Sequence, residues 1–186
     1  MLLTKFTLVF ISLFCGIYSS PQSDMVKHCI SYYTTGQSFE INDLQGEHFA
    51  VYFWPPNQRQ RDNCAIVSYK KLMQNEVNTA SECEGDLPED GSVMHGQYIN
   101  GAGRKVILLV YGDGEVKNLV RPCKSASKYI YKRINDNYVL GINCSSSGRG
   151  MLLARTLPSA SEVQDVVDGI EIMSGREGKP DCNLRT

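Results

Sequence analysis

The stretch Glu47-His48-Phe49-Ala50-Val51-Tyr52-Phe53-Trp54, running into Pro55-Pro56-Asn57, decides the fold. Its aromatic and β-branched residues suit a pleated strand, successive side chains take opposite faces, and a turn-forming cluster stops it. Working outward, the same period-two pattern recurs at Asn63–Leu72, Glu76–Glu84, Ser92–Ile99, Arg104–Tyr111, Lys128–Arg133, Tyr138–Cys144 and Gly150–Thr156. Asp90-Gly91, Asn100-Gly101 and Asp113-Gly114 supply turns between them, and Glu115–Val120 extends the hairpin that begins at Arg104. Eight short strands at near-regular spacing predict an all-β domain, either an up-and-down antiparallel barrel or a sandwich.

One helix follows the strands. Ser159 with Glu162 three residues on forms a capping box, and Val163, Val166, Val167 and Ile170 paint a single apolar stripe. The pattern predicts a helix over about 160–174, stopped by Gly175 and packed outside the sheet, then a coil tail over 175–186 pinned by Cys182.

The first residues point to a compartment. Lys5 flanks an apolar run, Phe6–Ile17, that is too short to span a bilayer, and Ile17-Tyr18-Ser19 offers a cleavage site. Residues 1–19 therefore read as a secretory signal peptide, leaving 20–186 as one secreted domain with no membrane span. Its loss moves the formal net charge from −1 to about −2, and no block of Lys or Arg offers a footprint for nucleic acid. Six cysteines remain: Cys29, Cys64, Cys83, Cys123, Cys144 and Cys182. An even count in an oxidising compartment predicts three disulfides, and spacing alone leaves all fifteen pairings open. No His/Cys cluster has metal-ligand spacing, so neither a metal nor another cofactor is expected.

Strands, one late helix and a cysteine-tethered tail resemble the lipocalin family, in particular its insect bilin-binding and apolipoprotein-D-like members. Phe39-Glu40-Ile41-Asn42-Asp43-Leu44-Gln45-Gly46 resembles the family's lead into its first strand, and Asn63-Cys64-Ala65-Ile66-Val67-Ser68-Tyr69 its second strand. Asn135-Asp136-Asn137-Tyr138-Val139-Leu140 and Leu152-Leu153-Ala154-Arg155-Thr156 resemble its second and third signatures. His48 stands where the family's first signature has tryptophan, and Arg133-Ile134 replaces the usual Thr-Asp, which marks a divergent member.

The resemblance implies an eight-stranded up-and-down barrel over about 46–156, with the helix outside. It ranks the pairings as Cys29–Cys144 and Cys64–Cys182, with Cys83–Cys123 left as the third. It also implies a barrel floor of His48 under Arg155. A neutral imidazole stacks beneath a guanidinium, whereas a protonated one repels it.

With Arg155 at the floor, Met151 and Leu153 point inward along the same strand; His48, Ala50, Tyr52 and Trp54 share one face, and Ala65, Val67 and Tyr69 another. Tyr52, Trp54, Val67, Tyr69, Met151 and Leu153 would line a calyx, with His95 or Tyr69 as a polar anchor. The implied function is a secreted carrier of a small hydrophobic ligand, such as a pigment, retinoid, fatty acid or hormone, and not an enzyme. The competing expectation is an interaction protein or inhibitor with a filled barrel, acting on a protein partner or receptor through Tyr32-Tyr33, the Trp54-Pro55-Pro56 corner and the Pro55–Asp62 loop. Asn143-Cys144-Ser145 is a formal glycosylation sequon.

Overall fold

A computed structural model of the chain describes residues 21–58, 60–73, 75–77, 87–88 and 92–185. After helix α1 (Pro21–Tyr33) come eight antiparallel strands: β1 (Gly46–Trp54), β2 (Ala65–Lys71), β3 (Met94–Ile99), β4 (Lys105–Tyr111), β5 (Val116–Val120), β6 (Ser127–Arg133), β7 (Tyr138–Asn143) and β8 (Arg149–Ala154). Each pairs with its sequence neighbour, and β1 pairs with both β2 and β8, so the sheet closes into an up-and-down barrel. Closure leaves no free edge among these strands. The connections β1–β2, β3–β4, β5–β6 and β7–β8 gather at one end. The segment entering β1, the β4–β5 and β6–β7 turns and the exit from β8 gather at the other.

Two strand expectations are corrected. Asn75–Val77 is helical, not the start of a strand over Glu76–Glu84; the rest of that stretch lies outside the described residues. Glu76 turns its carboxylate back to the Met73 amide (2.9 Å), as an N-terminal helical turn requires, and Val77 is buried with Leu72, Val93 and Leu109. The eighth strand is instead β5, which the turn over Gly112–Gly114 makes an independent partner of both β4 and β6.

The register of β1 carries the largest consequence. Ala50 faces Leu153, but Tyr52 already faces Leu152, so Val51 is an extra residue, a β-bulge. Val51 and Tyr52 both turn outward, and every later residue of β1 swaps face. Tyr52 and Trp54, expected inside, pack on the outer side, while Phe53 turns inward. Outside, the two large rings lie over glycines. A Cβ on Gly150 would stand 3.0 Å from the Trp54 ring and 2.4 Å from Met173, and one on Gly178 would stand 2.4 Å from Tyr52 and 2.7 Å from Trp54.

The chain thus has two cores. The inner one holds Ala50, Val67, Tyr69, Met94, Leu108 and Tyr131 among others, closed below by Phe39, Ile41 and Leu44. The outer one sandwiches β1, β8, β7 and β6 against α1, against helix α2 (Ala160–Asp168) and against the turn over Ile170–Met173. The predicted capping box is present: the Ser159 hydroxyl accepts from the Glu162 amide, and Glu162 accepts from the Ser159 amide at 2.7 Å. The helix is shorter than expected, ending at Gly169, and Ile170 reaches the core from a following 3₁₀ turn over Glu171–Met173.

The tail is not loose coil. Lys179–Pro180 forms β9 beside β1, Asp181 donates its amide to Val51 (3.0 Å), and Arg61 and Asn183 exchange backbone bonds with this segment. Disulfides Cys29–Cys144 and Cys64–Cys182 tie α1 and the tail to the barrel. The third expected pair lies outside the described residues at Cys83, and Cys123 is itself disulfide-bonded. Residues 1–19 also lie outside the described residues.

Candidate functional site

The barrel is hollow. A cavity of about 390 Å³ opens at the end where the β1–β2, β5–β6 and β7–β8 connections meet. Its walls are Ala50, Phe53, Ala65, Val67, Tyr69, Leu108, Leu119, Tyr131 and Met151, an aromatic and aliphatic surface that excludes water from an apolar guest. β6 supplies one wall as a column of rings, because Tyr129 and Tyr131 are two residues apart on a strand and share its inner face. Tyr129 stacks on Tyr131 (5.9 Å, 18° between planes), and Tyr131 on Phe39 (5.6 Å, 21°).

Polar groups collect at the two ends. Near the mouth stand Asn57, Arg61, Tyr98, Arg121, Asn143, Arg149 and Asp181. Arg61 Nε lies 3.5 Å from Asp181, Arg149 donates to the Asn57 carbonyl oxygen, and Asn57 donates to Asp181. Among the described residues, Arg121 donates to the Tyr98 hydroxyl alone, at 3.4 Å. Asn143 donates to the Tyr129 hydroxyl at 2.9 Å. Deeper down, the Tyr131 hydroxyl sits beside that of Tyr69 without a partner at hydrogen-bonding geometry among the described residues. Burial pushes the Tyr69 and Tyr131 phenols up, so both stay protonated.

The floor is built by His48 and Arg155. Arg155 donates to the Asp43 carbonyl (2.6 Å) and the Gln45 carbonyl (3.1 Å), latching the turn over Ile41–Leu44 across the barrel end. His48 is fully buried and meets Tyr69 edge-on at 5.9 Å. Neither ring nitrogen has a hydrogen-bond partner among the described residues. Burial first, and the Arg155 charge second, lower its pKa to about 4, so the buried imidazole is neutral. Lys117, also inward, is held by the carbonyls of Gly112 and Gly114 (both 2.7 Å) and Phe39 (3.2 Å). Burial pushes its pKa down.

Of the residues expected to line a calyx, Val67, Tyr69 and Met151 do so, and Leu153 lies in the inner core beside them. Tyr52 and Trp54 do not, because of the bulge. His95 does not either: on β3 it is Met94, Gly96 and Tyr98 that face inward, and His95 lines an outer groove with Ser68, Lys70, Glu76 and Gln97. Burial, then Lys105 and Lys70, lowers its pKa there. Among the surface features expected of an interaction protein, Tyr33 and Trp54 are buried, while Tyr32 is 65% exposed. The sequence reading missed Phe53, Tyr98, Tyr129, Tyr131 and the three mouth arginines. Tyr129-Ile130-Tyr131 alternates cleanly and was the available signal for two of them.

No family model matches the chain, and no curated protein matches its sequence.

Proposed function

We propose that the chain is a lipocalin-like carrier that encloses a small, largely apolar ligand in its barrel. The observation that supports this is a closed eight-stranded barrel with an open, ring-lined interior rather than a filled one. The mechanism is burial. Apolar ligand surface leaves water at about 25 cal/mol per Å², and a preformed wall spares the cost of ordering side chains. The disulfides Cys29–Cys144 and Cys64–Cys182 suit an oxidising, extracellular setting, in line with a secreted carrier. The fold alone names no cargo. Pigments, retinoids, fatty acids and hormones share the apolar body that this interior favours.

Fluorescence titration with the neutral probe N-phenylnaphthylamine tests the proposal. Saturable one-to-one binding supports a carrier. A flat titration with this probe and with retinol would contradict it.

A further inference from the structure

We infer that the cargo is an anionic amphiphile, with its apolar body in the barrel and one acidic headgroup at the mouth between Arg121 and Arg149. This rests on the carrier proposal above and sharpens it to a ligand class. The chain as a whole has a net charge of −1, so the positive mouth is a local construction rather than a reflection of composition. Among the described residues, three arginines line the cavity against one carboxylate, Asp181, and that carboxylate is taken by Arg61 and Asn57.

Arg121 and Arg149 have no carboxylate partner among the described residues; their partners are the neutral Tyr98 hydroxyl and the neutral Asn57 amide. Arg121 opens the β5–β6 connection and Arg149 is the first residue of β8, so two separate parts of the chain bring their charges to the one opening. Arg149 also lies over the Phe53 ring at 5.9 Å, which fixes the guanidinium at the boundary between apolar wall and mouth. A guanidinium at the rim of a low-dielectric cavity strongly favours a carboxylate, sulfate or sulfonate, which it grips through paired N–H donors. The column of Tyr129 and Tyr131 runs inward from the mouth, giving a flat apolar body a stacking surface.

The test uses two probes with the same ring skeleton, anilinonaphthalene sulfonate and N-phenylnaphthylamine, titrated into the full chain. The sulfonate should bind about tenfold tighter at low salt, and the preference should shrink as salt is raised. In the double variant Arg121→Gln with Arg149→Gln the preference should fall to about unity. In Lys71→Gln with Arg133→Gln, an equal loss of charge at the other end of the barrel, it should persist. Equal affinity of the wild type for both probes overturns the headgroup assignment and leaves the carrier proposal standing. So does a preference that survives loss of the two arginines. If neither probe binds, the headgroup assignment fails, and the carrier proposal fails with it when retinol also gives a flat titration.

Discussion

The Lys132 ammonium lies 2.7 Å from the Glu115 carboxylate, and both side chains are less than a tenth exposed. Glu115 also accepts from the Thr35 amide (3.1 Å), the Thr35 hydroxyl (2.9 Å) and the Gln37 amide (2.6 Å). One buried carboxylate therefore gathers β6, the turn before β5 and the segment leaving α1. Burial opposes its charge, but Lys132 and Thr35 outweigh that and hold the carboxyl below its usual range.

Removing one partner of this pair leaves the other buried and uncompensated. Lys132→Met should therefore destabilise the fold by about 3–5 kcal/mol, read from urea denaturation at neutral pH. A loss under about 1 kcal/mol would show the pair to be solvated. Because the folded pKa of Glu115 is depressed, its contribution is present above pH 4.5 and is lost as pH falls through the folded value.

His48 acts at a higher pH. Its folded pKa is about 4 against an ordinary 6.5, so between those values the unfolded chain takes up a proton that the folded chain does not. Stability is full above 6.5 and declines as pH falls toward 4, on a scale of about 3 kcal/mol. His48→Phe keeps a ring against Tyr69 and removes two buried nitrogens without partners. The variant should flatten the fall in urea midpoint between pH 6.5 and 4.5. An unchanged slope would show that His48 does not titrate in this way.

Gly178 is the slot for Tyr52 and Trp54 that the bulge on β1 makes necessary. Gly178→Ala sets a methyl group 2.4 Å from Tyr52 and 2.7 Å from Trp54, and both contacts are with rings packed in the outer core. A cost of about 1–3 kcal/mol is expected, with faster amide exchange at Asp181, whose amide bonds to Val51. Wild-type stability and exchange in this variant would mean that the tail docks elsewhere.

The architecture was legible because most strands alternate and most turns carry Gly or Asn. Along β1, the site was legible only up to Ala50. Glu47–Trp54 reads as unbroken period two, and nothing in its residues marks Val51 as the one that breaks the pleat. The bulge is set by the β8 register and by the tail strand beside β1, both distant in sequence. His95 failed for a related reason. A strand's alternation groups its residues into two faces without saying which face is inside, and Gly96, an apparently weak strand residue, is the inward one, beneath Tyr69 and Leu108. Arg61 and Arg121 come from connections, where no periodicity operates, while Arg149 opens β8 two residues before Met151, just ahead of the strand expected from Gly150.

Asn143 should remain unglycosylated despite its sequon. Its side-chain amide donates to Tyr129 inside the mouth, and the next residue is bridged to Cys29. Expression in a glycosylating secretory host followed by intact mass measurement should show no glycan at this site. An occupied Asn143 would require the mouth to open much wider.

Ala65→Trp projects an indole into the cavity from β2, opposite the tyrosine column. It should reduce N-phenylnaphthylamine affinity at least tenfold while circular dichroism stays that of a β-barrel. Undiminished binding would place the probe outside the barrel.

The most direct measurement is a crystal structure of the chain grown with N-phenylnaphthylamine. The probe is expected between Phe53 and the Tyr129–Tyr131 column. Probe density on the exposed face of α1 around Met25 and Tyr32, with the barrel interior closed by its own side chains, would contradict a carrier.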